Sequence, residues 1–418
     1  MIKSFRLKNF TLFREEELHL SPNLNVIIGE NGCGKSHLLK ALYSLVAVSA
    51  DQGRKITDHN LAEKINIIDA KLKFFQIMEF EQIVSSLPIA DSLSTKEHLE
   101  QSKNNYGLSL KRQREDLIKE IEGSINKPTK AFLEKGCAEK LNNVLRPERL
   151  GNLTSHHVIG DDDRRAKLFI SNDDERTDIG ISFSANSQSG VQVESLPQSW
   201  IREKPVFFPT RELLTLYPGF VSTYDNHYLE FEETYRDTCL LLGLPALKGE
   251  REVYAKELLK PIEEAMGGEV ILDSNGRFYL QQGKKRIEMP LVAEGLRKFA
   301  MLARLIANGS LLDKGYLFWD EPEANLNPKL IKTLAKVILD MCKQGIQVFI
   351  ATHSLFLLRE LEILQKDEEY RTLSPRYFGL NITSDGVKVE QGDEIYDLSQ
   401  IVVLDESILQ ADRYLEMD

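Results

Sequence analysis

Apolar and polar residues alternate in short runs over residues 1–28: Phe5 and Leu7 stand against Arg6 and Lys8, and Leu18 and Leu20 against Glu17 and His19. A period of two marks strands with one buried face, so small antiparallel strands are expected at the start of the chain. Leu24-Asn25-Val26-Ile27-Ile28 gives up this alternation and reads as a compact buried strand running into Gly29. From Ser36 the period changes again, with Leu38, Leu39, Leu42, Leu45 and Val46 at three-to-four spacing on one helical face. Residues 51–150 read as charged, weakly periodic helix without sustained heptads, an insertion rather than a coiled-coil arm. Strands are expected again at Ala166 to Ser171, Ile179 to Ser184 and Pro205 to Phe208, then a helical lobe over 211–268 with its clearest helices at Leu229 to Leu242 and Val253 to Met266. Beyond a small strand pair (Val270 to Leu272, Arg277 to Leu280), the pattern gives a helix with Leu296, Phe299, Leu302, Ala303 and Ile306 inward. A buried strand Tyr316 to Trp319, a helix Pro328 to Met341 and a buried strand Gln347 to Ile350 follow. Strands alternating with helices make this an α/β chain with helical insertions, its main unit formed by 1–50 and 151–418.

Composition adds bounds. The chain has 418 residues, 42% hydrophobic and 28% charged, enough for one large or two ordinary domains with a real core. No apolar run approaches the roughly 20 residues that span a bilayer, and the N-terminus has no apolar leader-like segment, so a cytoplasmic protein without a membrane partner is expected. Four cysteines lack any CxxC pair, which argues against a disulfide framework or a zinc site. The net charge of -11 repels a phosphate backbone unless basic residues share one face, so nucleic acid is possible but not indicated.

Three segments carry chemistry. Gly29-Glu30-Asn31-Gly32-Cys33-Gly34-Lys35-Ser36 fits GxxxxGK[ST] between a buried strand and an amphipathic helix. Its glycines let backbone N–H groups turn toward a β-phosphate, which the helix N-terminus beyond also favours. Lys35 is expected to reach the β- and γ-phosphates and Ser36 to ligate Mg²⁺, with Asn31, Gly32, Cys33, Gly34 and His37 completing the nucleotide-binding loop. In Gly315-Tyr316-Leu317-Phe318-Trp319-Asp320-Glu321 an apolar strand delivers two carboxylates to its end: Asp320 for Mg²⁺, Glu321 to deprotonate the attacking water. Val348-Phe349-Ile350-Ala351-Thr352-His353-Ser354 is a second buried strand, ending in a histidine suited to sensing a γ-phosphate.

Taken together these segments resemble an ABC-class ATPase head of the RecF, SMC and OLD-nuclease type. The resemblance implies a central mixed, largely parallel sheet, an antiparallel β subdomain, ATP and Mg²⁺ as cofactors, and an ATP-dependent homodimer. It assigns Lys35 and Ser36 to Walker A, Asp320 and Glu321 to Walker B, Ala324-Asn325-Leu326-Asn327-Pro328 to the D-loop, and His353 to the switch histidine. Catalysis then falls to Glu321 and His353. The trans signature aligns with Val292-Ala293-Glu294-Gly295-Leu296, where Ala293 and Leu296 replace the usual serine and glutamine, leaving Gly295 N–H, the helix dipole and Arg297 or Lys298 for the partner's phosphate. Thr210, followed by Arg211, occupies the glutamine-loop position; Thr210 reads equally well as a helix N-cap with Glu212 in the first turn. His156-His157 with Asp161-Asp162-Asp163, the basic runs Lys284-Lys285-Arg286 and Lys111-Arg112-Gln113-Arg114, and Cys33 as an oxidisable thiol are weaker, and polar loop, solvated face and small loop residue serve as well.

Phe208-Pro209-Thr210-Arg211-Glu212, Tyr217-Pro218-Gly219-Phe220, Val403-Leu404-Asp405 and Ala411-Asp412-Arg413-Tyr414 look like phrases of the stand-alone ATPases of bacterial anti-phage operons. That resemblance implies a sensor or regulator of a separately encoded nuclease or toxin. OLD-type nucleases continue into a TOPRIM domain, and the 65 residues after His353 are few for one beside the rest of the head, so a chain without its own nuclease is expected. The alternatives are a RecF- or SMC-like DNA-repair ATPase and, ranked last for want of the usual signature and glutamine loop, a transporter subunit.

Overall fold

The computed structural model describes residues 1–50, 68–69, 105, 108–116, 128–155, 165–227, 229–312 and 315–417. Its strands are β1 Ile2–Phe10, β2 Phe13–His19, β3 Leu24–Gly29, β4 Arg165–Asn172, β5 Ile179–Ser184, β6 Gln192–Ser195, β7 Pro205–Phe208, β8 Glu269–Leu272, β9 Phe278–Gln282, β10 Lys285–Glu288, β11 Tyr316–Asp320, β12 Gln347–Thr352, β13 Arg376–Thr383 and β14 Gly386–Gly392. The helices are α1 Lys35–Ala50, α2 Lys130–Leu145, α3 Tyr217–Asn226, α4 Glu233–Leu242, α5 Glu250–Met266, α6 Glu294–Ala307, α7 Pro328–Lys343, α8 Leu355–Gln365 and α9 Val402–Leu415. An eleven-stranded sheet runs β6-β5-β4-β1-β2-β14-β13-β3-β12-β11-β7, and β10-β9-β8 form a separate small sheet. The large sheet is mixed: β13, β3, β12, β11 and β7 are mutually parallel, whereas β6, β5, β4, β1 and β2 pair antiparallel.

The parallel half is buried on both faces, which is why its strands read as unbroken apolar runs. Leu317 and Trp319 of β11 face one core while Tyr316 and Phe318 face the other, and β12 divides Val348 and Ile350 from Phe349 and Ala351 in the same way. Phe318 stacks on Phe349 at 4.7 Å, and Trp319 meets Phe208 edge to face at 5.0 Å, pinning β11 between its neighbours. Truncating such a buried ring costs about 3–5 kcal/mol. Gln347, fully buried at the start of β12, donates to the carbonyls of Ile2 and Ser21 and accepts the Ile2 N–H, so the polar pattern at that end is satisfied internally.

Two elements differ from the periodicity. Residues 130–145, expected within the insertion, form α2, whose Leu133, Cys137, Leu141 and Val144 pack into the same core as α1. Lys140 of α2 donates to Asp237 at 2.5 Å and to Glu233 at 3.0 Å, and Tyr43 of α1 donates to Asp237 at 2.8 Å. A buried lysine shared by two carboxylates is tolerated because each partner is paired, and it ties α2, α1 and α4 together. The helix expected to begin near Leu229 starts at Glu233. His156, His157 and Asp161 to Asp163 lie outside the described residues, as does most of the expected insertion. No helix among the described residues is long and apolar enough to cross a membrane.

Candidate active site

Parallel pairing brings the chemistry to one edge. β3 pairs with β12, β12 with β11 and β11 with β7 in the same direction, so all four strands end on the same side of the sheet. There β3 opens into Gly29-Glu30-Asn31-Gly32-Cys33-Gly34, β11 into Asp320-Glu321, β12 into Thr352-His353, and β7 into Pro209-Thr210-Arg211. Ligands of parallel α/β sheets bind beyond these carboxyl ends.

The phosphate loop has the required backbone. Gly32 and Gly34 take φ of +84° and +92°, values open mainly to glycine. A Cβ on Gly34 would also lie 3.1 Å from the ring of Phe13, so the loop is held against β2. Lys35 opens α1 and is 6% exposed, its Nζ donating to the carbonyls of Gly29 at 2.8 Å and Glu30 at 2.7 Å. The ammonium thus closes the loop on itself, centred where phosphate oxygens would take over the same donors. Asn31, Gly32 and His37 are exposed at this mouth. Cys33 is fully buried, and burial pushes its thiol up, so it is a packing residue rather than a reactive thiolate.

Asp320 is 7% exposed, and its Oδ1 has no hydrogen-bond partner. Burial raises its carboxyl above the usual range, opposed chiefly by a hydrogen bond from Ser36. A buried carboxylate oxygen without a donor, beside a serine hydroxyl, is an all-oxygen set of the kind Mg²⁺ takes, so these two residues fit the ion. Replacing Asp320 by Asn should therefore raise the melting temperature of the nucleotide-free protein by about 2 °C, because a buried carboxylate charge with one oxygen lacking a donor is removed. The same change should abolish the Mg²⁺ dependence of ATP binding. Differential scanning fluorimetry and calorimetry with and without Mg²⁺ check both halves; a lower melting point with intact Mg²⁺ dependence refutes the assignment.

Glu321 takes φ of +47°, an unusual conformation for a residue with a side chain. Its N–H donates to Ala351 at 2.9 Å and its carbonyl accepts from Lys298 Nζ at 2.7 Å. Its Oε1 lies 3.4 Å from Nδ1 of His353, whose side chain is half exposed. The two expected catalytic side chains therefore meet over the strand ends.

The expected signature and D-loop also meet, within one chain. Ala293 is the exposed residue preceding α6, and Glu294 accepts from Asn325 Nδ2 at 3.0 Å. A Cβ on Gly295 would stand 2.5 Å from the carbonyl oxygen of Asn325, which itself takes φ of +64°. Gly295 is glycine because the D-loop backbone passes there. Leu296 is half-buried beside it, and Asn327 caps α7 by accepting the Leu330 N–H at 3.0 Å. Both basic candidates for the partner's phosphate are engaged internally: Arg297 pairs with Glu212 at 3.1 Å, and Lys298 is buried. Thr210 starts no helix, since residues 211–213 are irregular and 214–216 form a turn before α3; Glu212 instead accepts from Thr215. Arg211 is exposed.

The motifs did not announce Glu323 or the inward course of Lys298. Glu323 is 7% exposed, accepts from Thr352 Oγ1 at 2.7 Å, and is held above the usual carboxyl range by burial. The only signal was a third acid just after Asp320-Glu321 in a chain that otherwise turns there.

Residues 1–184 match the family described as "AAA ATPase domain", and residues 163–359 that described as "AAA domain, putative AbiEii toxin, Type IV TA system". Both descriptions are of AAA-type ATPase domains, and the two matches together run over residues 1–359. Among curated proteins, a DNA replication and repair protein RecF of Chlamydia abortus is 43% identical over 81 residues, 19% of this chain and 20% of the relative. An ATP/GTP phosphatase of Helicobacter pylori is 49% identical over 49 residues, 12% of this chain and 13% of its own length. The matched stretch is thus about a fifth or less of these relatives. Among solved structures, an SMC head bound to the C-terminal winged-helix domain of ScpA aligns over 94% of this chain and 97% of its own, with a TM-score of 0.48 and 12% identity.

Proposed function

We propose that the chain binds ATP with Mg²⁺ and hydrolyses it within a dimer that closes around nucleotide, and that this cycle regulates a separately encoded nuclease or toxin in anti-phage defence. The observation that carries the ATPase reading is the shared edge of β3, β11 and β12, which gathers Lys35, Asp320, Glu321 and His353. Bound Mg²⁺ would supply charge neutralisation of the β- and γ-phosphates. Lys35 and the loop N–H groups hold the phosphates, Glu321 accepts the proton of the attacking water, and His353, within reach of Glu321, stands where a γ-phosphate contact is formed. The toxin-system name of the family matching 163–359 supports the defence role. Co-purification of the neighbouring gene product, followed by phage challenge of cells carrying Lys35→Ala, tests it; full protection by that variant contradicts the role.

The dimer has its own test. Gly295 is unsuitable for a lesion because any side chain there collides with Asn325 of the same chain. Ala293 is exposed, and aspartate is a good residue at a helix start, so Ala293→Asp should fold normally while setting a carboxylate against the partner's γ-phosphate. Mixing Ala293→Asp with Lys35→Ala chains leaves one composite site free of both lesions. Turnover of the mixture is expected to exceed that of either variant alone by about tenfold or more, an electrostatic clash of ~1.4 kcal/mol being enough. A mixture no faster than its components argues against the shared site.

The matches to RecF proteins favour a second reading, a DNA-repair ATPase. Stimulation of turnover by duplex DNA, falling steeply with salt, would select it over effector control.

A further inference from the structure

Lys298 lies on α6 one helical turn beyond Gly295, yet its ammonium turns back into its own chain. The residue is 4% exposed, and its Nζ donates to the carbonyls of Glu321 at 2.7 Å and Ala324 at 3.4 Å. Glu323, Glu321, Asp320 and Glu294 all act on it electrostatically, so its ammonium sits among the acids of the site. Burial outweighs them and holds the ammonium down to about 8. The left-handed backbone of Glu321 is unfavourable and persists only where surroundings over-determine it. The bonds that do so come from two directions: the Glu321 N–H reaches Ala351 on β12, and the Glu321 carbonyl is held from α6 by Lys298. From Glu323 the connection continues through Thr352 Oγ1, which also accepts the Ser354 N–H at 3.0 Å across the turn bearing His353.

We infer, resting on the site reading above, that Lys298 is a positioning residue that couples the two nucleotide sites of the dimer. The start of α6 would face ATP held by the partner, whereas Lys298 holds the base of its own chain. Seating of the partner's γ-phosphate against Ala293 and Gly295 shifts α6, and Lys298 carries that shift to the backbone of Glu321. Occupation of one site then sets the aim of the base in the other, through a contact made by no phosphate ligand. Asn325, bonded to Glu294 on the same helix, supports the D-loop side of this joint.

The test uses the full chain and three measurements: ATP affinity, kcat, and the cooperativity of turnover with ATP concentration. Lys298→Met keeps the stem and removes the donor; losing one member of a buried charge cluster is destabilising, so a melting curve accompanies each measurement. The variant should leave ATP affinity unchanged, lower kcat about 10²-fold as the base loses its aim, and abolish cooperativity. Lys298→Arg, which retains charge and donors, should restore most of kcat and the cooperative response. If Lys298→Met does not fold, Lys298→Gln replaces it, and wild-type kcat with wild-type cooperativity in that variant overturns the inference. Glu321→Gln separates the two levels. Should Glu321→Gln turn over like the wild type, the site reading itself fails; should it be inactive while Lys298→Met keeps wild-type kcat and cooperativity, only the coupling role fails.

Discussion

Lys35→Ala is expected to lower ATP affinity by about 10²- to 10⁴-fold and to remove hydrolysis with it. Two charge-assisted contacts to the phosphates, each about 1.5–3 kcal/mol, account for that range. The structure adds a second contribution, because the same ammonium bonds the carbonyls of Gly29 and Glu30 and so shapes the loop before nucleotide arrives. Without it, the loop N–H groups lose part of their orientation and phosphate must organise them at its own cost. The loss should therefore extend to ADP, whose β-phosphate uses the same loop. Calorimetry with ATP and ADP, alongside a melting curve to verify folding, measures both; unchanged affinity for either nucleotide in a folded variant removes the assignment.

The parts of the fold that sequence reasoning reached are those whose signal is local. β3, β11 and β12 are buried on both faces, so their apolar runs are continuous and their ends fall at Gly29, Asp320 and Thr352, close to where periodicity placed them. The phosphate loop is legible for the same reason, since positive φ at Gly32 and Gly34 requires glycine at fixed offsets before the lysine. The expected mixed sheet is found, its parallel strands in one half and, in the other, β1, β2, β4 and β5, whose period-two patterns suit antiparallel neighbours.

What escaped is long-range. β13 and β14 insert between β2 and β3 although nearly the whole chain separates them in sequence, and no local pattern encodes that neighbour relation. The inward turn of Lys298 was similarly hidden: a lysine beside a signature glycine looks like a phosphate contact, and only the nearby carbonyls of Glu321 and Ala324 show otherwise. Gly295 looked like a donor for the partner's phosphate, but the close carbonyl of Asn325 gives its lack of a side chain an additional cause within the chain. α2 was assigned to the insertion because its apolar stripe is narrow, its stability coming instead from packing on α1 and the buried Lys140 network.

Glu321→Gln should keep ATP binding while slowing turnover about 10²- to 10⁴-fold, the usual span for removing a general base. The amide preserves volume and the hydrogen-bonded backbone at φ +47°, so neither the tie to Lys298 nor the tie to Ala351 is disturbed. What disappears is the basic oxygen near His353. With hydrolysis stopped, the closed ATP-bound dimer should accumulate, visible in light scattering as a doubling of mass that depends on ATP and Mg²⁺. Glu323→Gln is the informative companion, since Glu323 is the other carboxylate close enough to compete for the role. It is 7% exposed and one of its oxygens already accepts from Thr352, so it is engaged within the chain rather than open to the attacking water. Glu321 presents a side chain 29% exposed at the strand end where water enters. Glu323→Gln should therefore retain most of kcat, and the reverse outcome, an active Glu321→Gln beside an inactive Glu323→Gln, would transfer the base to the buried acid.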